Sequence, residues 1–312
     1  MNAAVNRPDD GDGRTRVRLT ELVALRARVA KAALPRLESR AMHAGQQSSR
    51  LFGRGMDYAE SRVYQPGDDV RRLDWRLTAR SGRLHTKLFQ EEREGRLLIL
   101  LDTHESMRFG TRVRFKSVQA ARAAALAAWY VVRAGERVGL MEFGGGDRLL
   151  RPQGGARGAL AICGALAEWQ GQGPAVHAQA ESLSQALLRA SRLMRGTNRL
   201  LLISDGLSCD DAARGRLLDL AGKAAVRVLV VADALELSMP PPGRYPLEHD
   251  GERREVALFG ERQRREFQQR LGAGQAALNS VAQGLGIPHR TIDTTADPLD
   301  AVLALLAPGA RR

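Results

Sequence analysis

Asp102, His104 and Ser106 lie within five residues of one another, directly after the apolar run Leu97-Leu98-Ile99-Leu100-Leu101. A carboxylate, an imidazole and a hydroxyl are the side chains of a hydrolytic triad. Carboxylates and hydroxyls on converging loops are also the hard oxygen donors that Mg²⁺ requires. A second apolar run, Arg199–Ile203, ends the same way, in Ser204-Asp205-Gly206. If the two runs are neighbouring parallel strands, Asp102 and Asp205 share one edge of a sheet, with the Ser106 hydroxyl beside them. Open α/β sheets bind ligands at that edge. The plainer reading is an acidic turn that caps the helix after it. A triad needs alignment across hydrogen bonds, which three residues of one short loop give no reason to expect.

The elements that must position these residues follow from periodicity. Apolar residues recur at helical spacing over Leu19–Leu34 (Leu22, Leu25, Val29, Ala33), with Thr20 as N-cap and Pro35 as stop. Residues 36–52 read as a polar connecting helix or loop. Residues 53–95 are punctuated by Gly53, Gly55, Pro66-Gly67 and Ser81-Gly82, as in a small β-rich subdomain with strands near Tyr58–Tyr64 and Leu84–Glu91. After the strand ending at Leu101, an Ala-rich helix spans 112–134, with Val118, Ala121, Ala125, Trp129 and Val132 on one face. Strand Arg137–Phe143 leads through Gly144-Gly145-Gly146 into a hairpin, so the next strand is antiparallel at the sheet edge. A helix over 156–169 turns Leu160, Cys163, Leu166 and Trp169 inward.

After a loop at 170–180, helices at 181–194 and 211–223 flank the strand Arg199–Ile203, and strand Val226–Val231 follows. A hairpin around Asp250-Gly251, one long helix over 261–285, a strand at 287–292 and a helix at 298–307 complete the chain. This alternation predicts an α/β protein with a doubly wound sheet. The expected organisation is a disordered tail at 1–18, an N-terminal helical segment at 19–52, the β-rich subdomain at 53–95 and the sheet domain at 96–312.

The 312 residues suffice for a large core. No apolar run is long enough for a membrane helix, and the acidic N-terminus (Asp9, Asp10, Asp12) is unlike a secretory signal. Cys163 and Cys209 are the only cysteines, which fits a reducing cytoplasm. The formal charge is +13, nearly all from arginine, since the lysines are only Lys31, Lys87, Lys116 and Lys223. Such a surface attracts nucleic acid, anionic membrane or an acidic protein. Aromatic residues are 4% of the chain, too few for stacking platforms on single strands.

The stretch Tyr64-Gln65-Pro66-Gly67-Asp68-Asp69-Val70-Arg71-Arg72-Leu73-Asp74-Trp75-Arg76 concentrates turn residues and opposite charges. Asp68, Asp69 and Asp74 are close enough to pair with Arg71, Arg72 and Arg76 in a salt-bridged knot. The same turn is alternatively a docking surface with Trp75 as its anchor.

From Gly55 to Trp75, through Thr78–His85 and into Leu101-Asp102, the sequence is identified as a member of the domain of unknown function 58 family, within the von Willebrand factor type A-like fold. The resemblance runs from about residue 20 to the C-terminus. It implies a doubly wound sheet and a signature (Tyr64, Pro66, Gly67, Asp68, Asp69, Arg71, Arg72, Asp74, Trp75) that is chiefly structural. It further implies no catalytic activity, and a chaperone-like partnership with a MoxR-type AAA+ ATPase and a client protein.

In the wider fold a metal-dependent adhesion site uses Asp-x-Ser-x-Ser, a Thr from a second loop and an Asp from a third. Asp102, Ser106 and Asp205 match that pattern. His104 replaces the first Ser, and the Thr position falls at about Glu181. An imidazole suits Zn²⁺ or another borderline ion better than Mg²⁺. The degenerate site is therefore expected to be metal-free, with His104 bonded to the carboxylates. A changed divalent metal is the alternative.

Other chemistries lack their motifs. There is no phosphate-binding Gly-x-x-x-x-Gly-Lys-Ser/Thr loop and no Gly-x-Ser-x-Gly elbow at Ser204. Gly272-Ala273-Gly274-Gln275-Ala276-Ala277 imitates a dinucleotide fingerprint but sits inside a helical pattern with no strand before it. The expectation is a cytoplasmic, non-catalytic protein-binding module. It docks its partner through Asp102, Thr103, His104, Glu105 and Ser106 on one loop and Asp205 and Gly206 on the other. Nucleic-acid binding by the arginine surface, and hydrolysis by the Asp102/His104/Ser106 loop, are the alternatives.

Overall fold

Apolar strands with no polar face must be covered on both sides, and the chain supplies helices to both. The structure, a computed structural model, describes residues 11–32, 56–91, 95–171, 180–194, 199–249 and 252–307. The chain divides into two units, residues 38–94 and residues 1–37 together with 95–312.

The larger unit begins with α1 (Leu19–Lys31). The smaller unit holds β1 (Met56–Val63), α2 (Trp75–Ser81) and β2 (His85–Glu91). The larger unit then continues with β3 (Arg96–Asp102), α3 (Lys116–Arg133), β4 (Arg137–Phe143), β5 (Leu149–Gly154), α4 (Gly155–Gly171) and α5 (Leu183–Leu193). It runs on through β6 (Arg199–Ser204), α6 (Ala213–Ala221), β7 (Ala225–Ala232), α7 (Ala234–Leu237), β8 (Gly243–His249) and β9 (Glu252–Leu258). It closes with α8 (Glu261–Leu271), α9 (Ala273–Gly284), β10 (His289–Asp293) and α10 (Leu299–Leu306).

The doubly wound α/β sheet expected from the sequence is the fold observed. Its order is β10-β7-β6-β3-β4-β5, parallel except for β5, which runs antiparallel to β4 at the edge. Along β3, Leu97, Ile99 and Leu101 face a core formed with α1, α3, α4 and α10. Leu98 and Leu100 face a second core under α5, α6 and α9. Alternate side chains of one strand thus serve both layers. α3 is buried on nearly every side because alanines let α1, α4 and the sheet approach it together. β8 and β9 form their own antiparallel hairpin, whose turn residues Asp250 and Gly251 lie outside the described residues.

Several boundaries differ from the sequence expectation. Residues 11–18 belong to the fold rather than to a tail. Both oxygens of Asp12 gather the backbone of Arg14, Thr15 and Arg16 and the Thr15 hydroxyl, and Val17 is buried. α1 starts at Leu19 without a side-chain cap, so Thr20 is not its N-cap. It is instead tied to α3 by the Trp129 indole donating to Leu22 O (3.0 Å) and by Arg133 on Val29 O and Ala32 O. Pro35 and residues 36–52 lie outside the described residues.

α3 begins at Lys116 rather than 112, because Thr111 is held by Asp233 through its amide (3.0 Å) and hydroxyl (2.5 Å). In α4 the buried stripe is Ala159, Ile162, Cys163, Leu166 and Trp169, which leaves Leu160 exposed. The long helix over 261–285 is two helices broken at Gly272, where a Cβ would lie 2.5 Å from Glu236 O.

In the smaller unit the β-rich texture is interrupted by the helix α2. Asp74 caps it, accepting from Leu77 N (3.0 Å) and from the Ser61 hydroxyl (2.7 Å). Asp69 accepts from Arg71 N, and Asp68 accepts from Gln65 N and pairs with Arg62 (2.7 Å). These acids thus serve as caps, with an Asp68–Arg62 pair, where the sequence reading expected a knot of ion pairs. These short acidic side chains bond nearby backbone amides. Tyr64 N donates to Leu84 O, and Trp75 is exposed.

Candidate functional site

β3 and β6 are adjacent and parallel, with Leu101 level with Ile203. Asp102 and Asp205 therefore emerge on one rim of the sheet. Asp102 is buried and fully engaged. Its Oδ1 accepts the His104 amide (3.0 Å) and meets His104 Nδ1 (2.7 Å). Its Oδ2 accepts the hydroxyls of Ser204 (2.5 Å) and Ser208 (3.4 Å).

The imidazole lies edge-on to Phe143, with ring centroids 5.5 Å apart. Gly144 has φ +92°, and a Cβ there would sit 2.2 Å from His104 Nδ1, so glycine is required to admit the ring. Burial pulls the imidazole pKa down, but the hydrogen bond and charge of Asp102, the charge of Asp205 and the Glu181 backbone raise it above its ordinary value. Asp102 thus favours the protonated over the neutral ring.

Asp205 has a different cation. Lys116 Nζ, on the first residue of α3, lies 2.8 Å from Asp205 Oδ2 and 2.6 Å from Glu236 Oε1, with all three side chains buried. Burial lowers the ammonium pKa, yet the two carboxylates more than offset it and keep it charged. Burial pushes Glu236 up against the pull of Lys116.

Glu236 Oε2 accepts from Asp233 N (2.7 Å). Asp233 in turn holds Thr111, Leu235 N and the Thr294 hydroxyl. Those bonds outweigh burial and keep the Asp233 carboxyl below the usual range. The rim is thus lined by three strand-end carboxylates, each with its own partners.

Other predicted residues fall as follows. Thr103 ties the rim to the next hairpin, donating to Phe143 O (2.9 Å) and accepting from Gly145 N (3.1 Å). Glu105 is exposed. Ser106 Oγ is buried and bonds no partner among the described residues, so it is not aligned with His104 as a triad would need. Glu181 turns its carboxylate to Arg189 (3.0 and 2.6 Å). The neighbouring hydroxyls of Ser182 and Ser184 bond Asp210 Oδ2. Gly206 packs against Gly274, whose O would lie 2.3 Å from a Cβ at 206. The glycines that imitate a nucleotide fingerprint are there for close packing.

The donor set does not fit the divalent metal of the wider fold. Both oxygens of Asp102 are taken, Asp205 faces an ammonium, and the second-loop carboxylate points to an arginine. The Lys116 ammonium already stands between Asp205 and Glu236, and a dication would have to displace it. Among the described residues no three His, Cys, Asp or Glu side chains are grouped to hold a metal ion.

Sequence reasoning missed Lys116, Glu236, Asp233 and Thr294. The signal for Asp233 was present, since β7 also ends in an aspartate after an apolar run. A lysine opening an alanine-rich helix, one of only four lysines in the chain, was the signal for Lys116.

The family model described as protein of unknown function DUF58 matches residues 60–277. The chain is 28% identical over 265 residues to the uncharacterized protein Rv1480 of Mycobacterium tuberculosis, covering 84% of this chain and 82% of that one. The uncharacterized protein Mb1516 of Mycobacterium bovis matches to the same extent. Among solved structures, the conserved hypothetical protein BatB from Bacteroides thetaiotaomicron is similar at 16% identity and a TM-score of 0.41, over 67% of this chain and 95% of that one. A von Willebrand factor type A from Catenulispora acidiphila is similar at 13% identity and a TM-score of 0.39, over 70% of this chain and 42% of that one.

Proposed function

The chain belongs to the family of proteins of unknown function DUF58, and from that premise we propose that it is a non-catalytic protein-binding module. It acts in the cytoplasm with a MoxR-type AAA+ ATPase in the chaperone-like maturation or remodelling of a client protein. The observation that supports this reading is the state of the rim. Its buried acids are each matched by a fixed partner, so they shape the loops and are not poised for proton transfer. The loops they hold present Glu105 and the 59% exposed Leu207 outward, an acidic and an apolar contact on one sheet edge. Among the described residues no helix is long and apolar enough to cross a membrane.

The test is binding of the immobilised full chain to a purified MoxR-type ATPase, with and without ATP, for the native protein and for Glu105→Arg/Leu207→Asp. Both positions are exposed, and equal urea midpoints for the two chains check that the variant keeps the fold. Loss of at least about tenfold in affinity is expected if these are central contacts. Equal affinity for native and variant chains overturns the docking face.

A further inference from the structure

Beside the rim, on the α3 and α4 side of β3, a cavity of about 310 Å³ opens between the Asp102–Arg108 loop, residues 15–16 and the end of α4. That is near the lower bound of small-ligand sites. Its wall is cationic. Arg16 and Arg108 line it, both exposed, and neither guanidinium is paired with a carboxylate among the described residues. Arg148 is a third, held against buried Glu142 (Nε to Oε1 2.5 Å, Nη2 to Oε2 3.0 Å) and stacked 5.1 Å over the Trp169 ring. Asp102 is the one carboxylate in the lining, and its oxygens are already occupied. Phe115 and Trp169 supply apolar surface.

Gln170 closes the end of the wall, its Nε2 donating to Ser117 O (2.6 Å).

We propose that this cavity receives an Asp or Glu side chain from an extended segment of a protein partner. The carboxylate lies on Arg16 and Arg108. The stem packs on Phe115 and Trp169. Guanidinium forks match carboxylates in this way. The proposal rests on the protein-binding reading and names the chemistry of the segment bound.

The experiment measures anisotropy of fluorescein-labelled hexaglutamate with the full chain at physiological salt, with hexaglutamine and inorganic phosphate as comparators. Arg16→Gln/Arg108→Gln is expected to weaken hexaglutamate at least about tenfold, from the loss of two charge-assisted pairs. Arg214→Gln/Arg216→Gln, exposed on α6 across the sheet, is expected to change it less than about twofold, the size of a screened long-range effect. A change in tryptophan emission on binding, absent in Trp169→Phe, places the peptide in the cavity.

Equal losses in the two arginine variants mean diffuse attraction to a basic surface and overturn the proposal. So does hexaglutamine binding as tightly as hexaglutamate, or phosphate alone producing the Trp169 signal and displacing the peptide. No ATPase is present in this assay. Failure here with ATPase binding intact removes the cavity alone. Peptide binding without ATPase binding removes the proposed ATPase partner alone.

Discussion

Lys116 Nζ stands between Asp205 Oδ2 at 2.8 Å and Glu236 Oε1 at 2.6 Å, so an ammonium from α3 neutralises the strand-end carboxylate that the wider fold reserves for a metal. Removing one member of a buried ion cluster leaves the others uncompensated. Lys116→Met is expected to lose about 3–5 kcal/mol in urea unfolding. Lys116→Ala leaves room beside two carboxylates, and millimolar Mn²⁺ is expected to raise its Tm while leaving that of the native chain unchanged. A native Tm that rises with Mn²⁺, and ceases to do so in Asp102→Asn, would show that the donors accept a metal after all.

His104 gives stability a pH dependence whose sign follows from its raised pKa. A folded-state pKa above the unfolded one means the native state holds its proton more tightly. The contribution is full below the unfolded value of about 6.5 and is lost as pH rises through the raised folded value. Tm measured from pH 5.5 upward, a range of about three units around the ordinary histidine value, is expected to fall more steeply for the native chain than for His104→Gln. Parallel curves for the two proteins would mean that the Asp102–imidazolium pair contributes nothing.

The central strands β3, β4, β6 and β7 were legible in the sequence because each is a short apolar run followed by a carboxylate or a glycine turn. Arg137–Phe143 was placed to the residue, and the antiparallel edge followed from the three glycines after it. Sequence periodicity reads burial along one element and cannot see long-range polar contacts. The helix expected from residue 112 starts only at Lys116, because Thr111 just before it is captured by Asp233, 122 residues away. Gly272 reads as a tolerated helix glycine until Glu236 O is found against it. At the rim, Asp102, His104 and Asp205 could be named from their spacing alone. Their partners could not, because Lys116 and Ser204 become neighbours of those acids only when the sheet assembles.

The two cysteines should differ in reactivity. Burial pushes the Cys163 thiol up to about 12, and its side chain is fully enclosed between α4 and α3. Cys209 is half-buried, and burial together with the charges of Asp210 and Asp211 raises its pKa as well. Thiolate is the reactive form, so the native protein is expected to react slowly with a disulfide reagent at Cys209 alone. Cys209→Ser is expected to abolish native labelling, and denaturant to expose Cys163. Native labelling that survives in Cys209→Ser would mean the α3–α4 core opens at low cost.

Gly206 and Gly286 both carry left-handed backbone, with φ of +79° and +65°, yet their surroundings differ. A Cβ at 286 meets nothing within 4 Å, whereas one at 206 lies 2.3 Å from Gly274 O and 2.7 Å from Leu278 Cβ. Gly286→Ala is therefore expected to cost only the left-handed term, about 1–2 kcal/mol. Gly206→Ala adds overpacking of about 1–3 kcal/mol, because α9 must withdraw from the loop. Its effect also reaches the rim, since the Asp205 carboxylate accepts Leu207 N (2.9 Å) and holds Lys116 on that same loop. Urea midpoints separate the two variants. If Gly206→Ala is no worse than Gly286→Ala, α9 does not clamp the Asp205 loop, and the buried ammonium rather than glycine packing sets the shape of this edge.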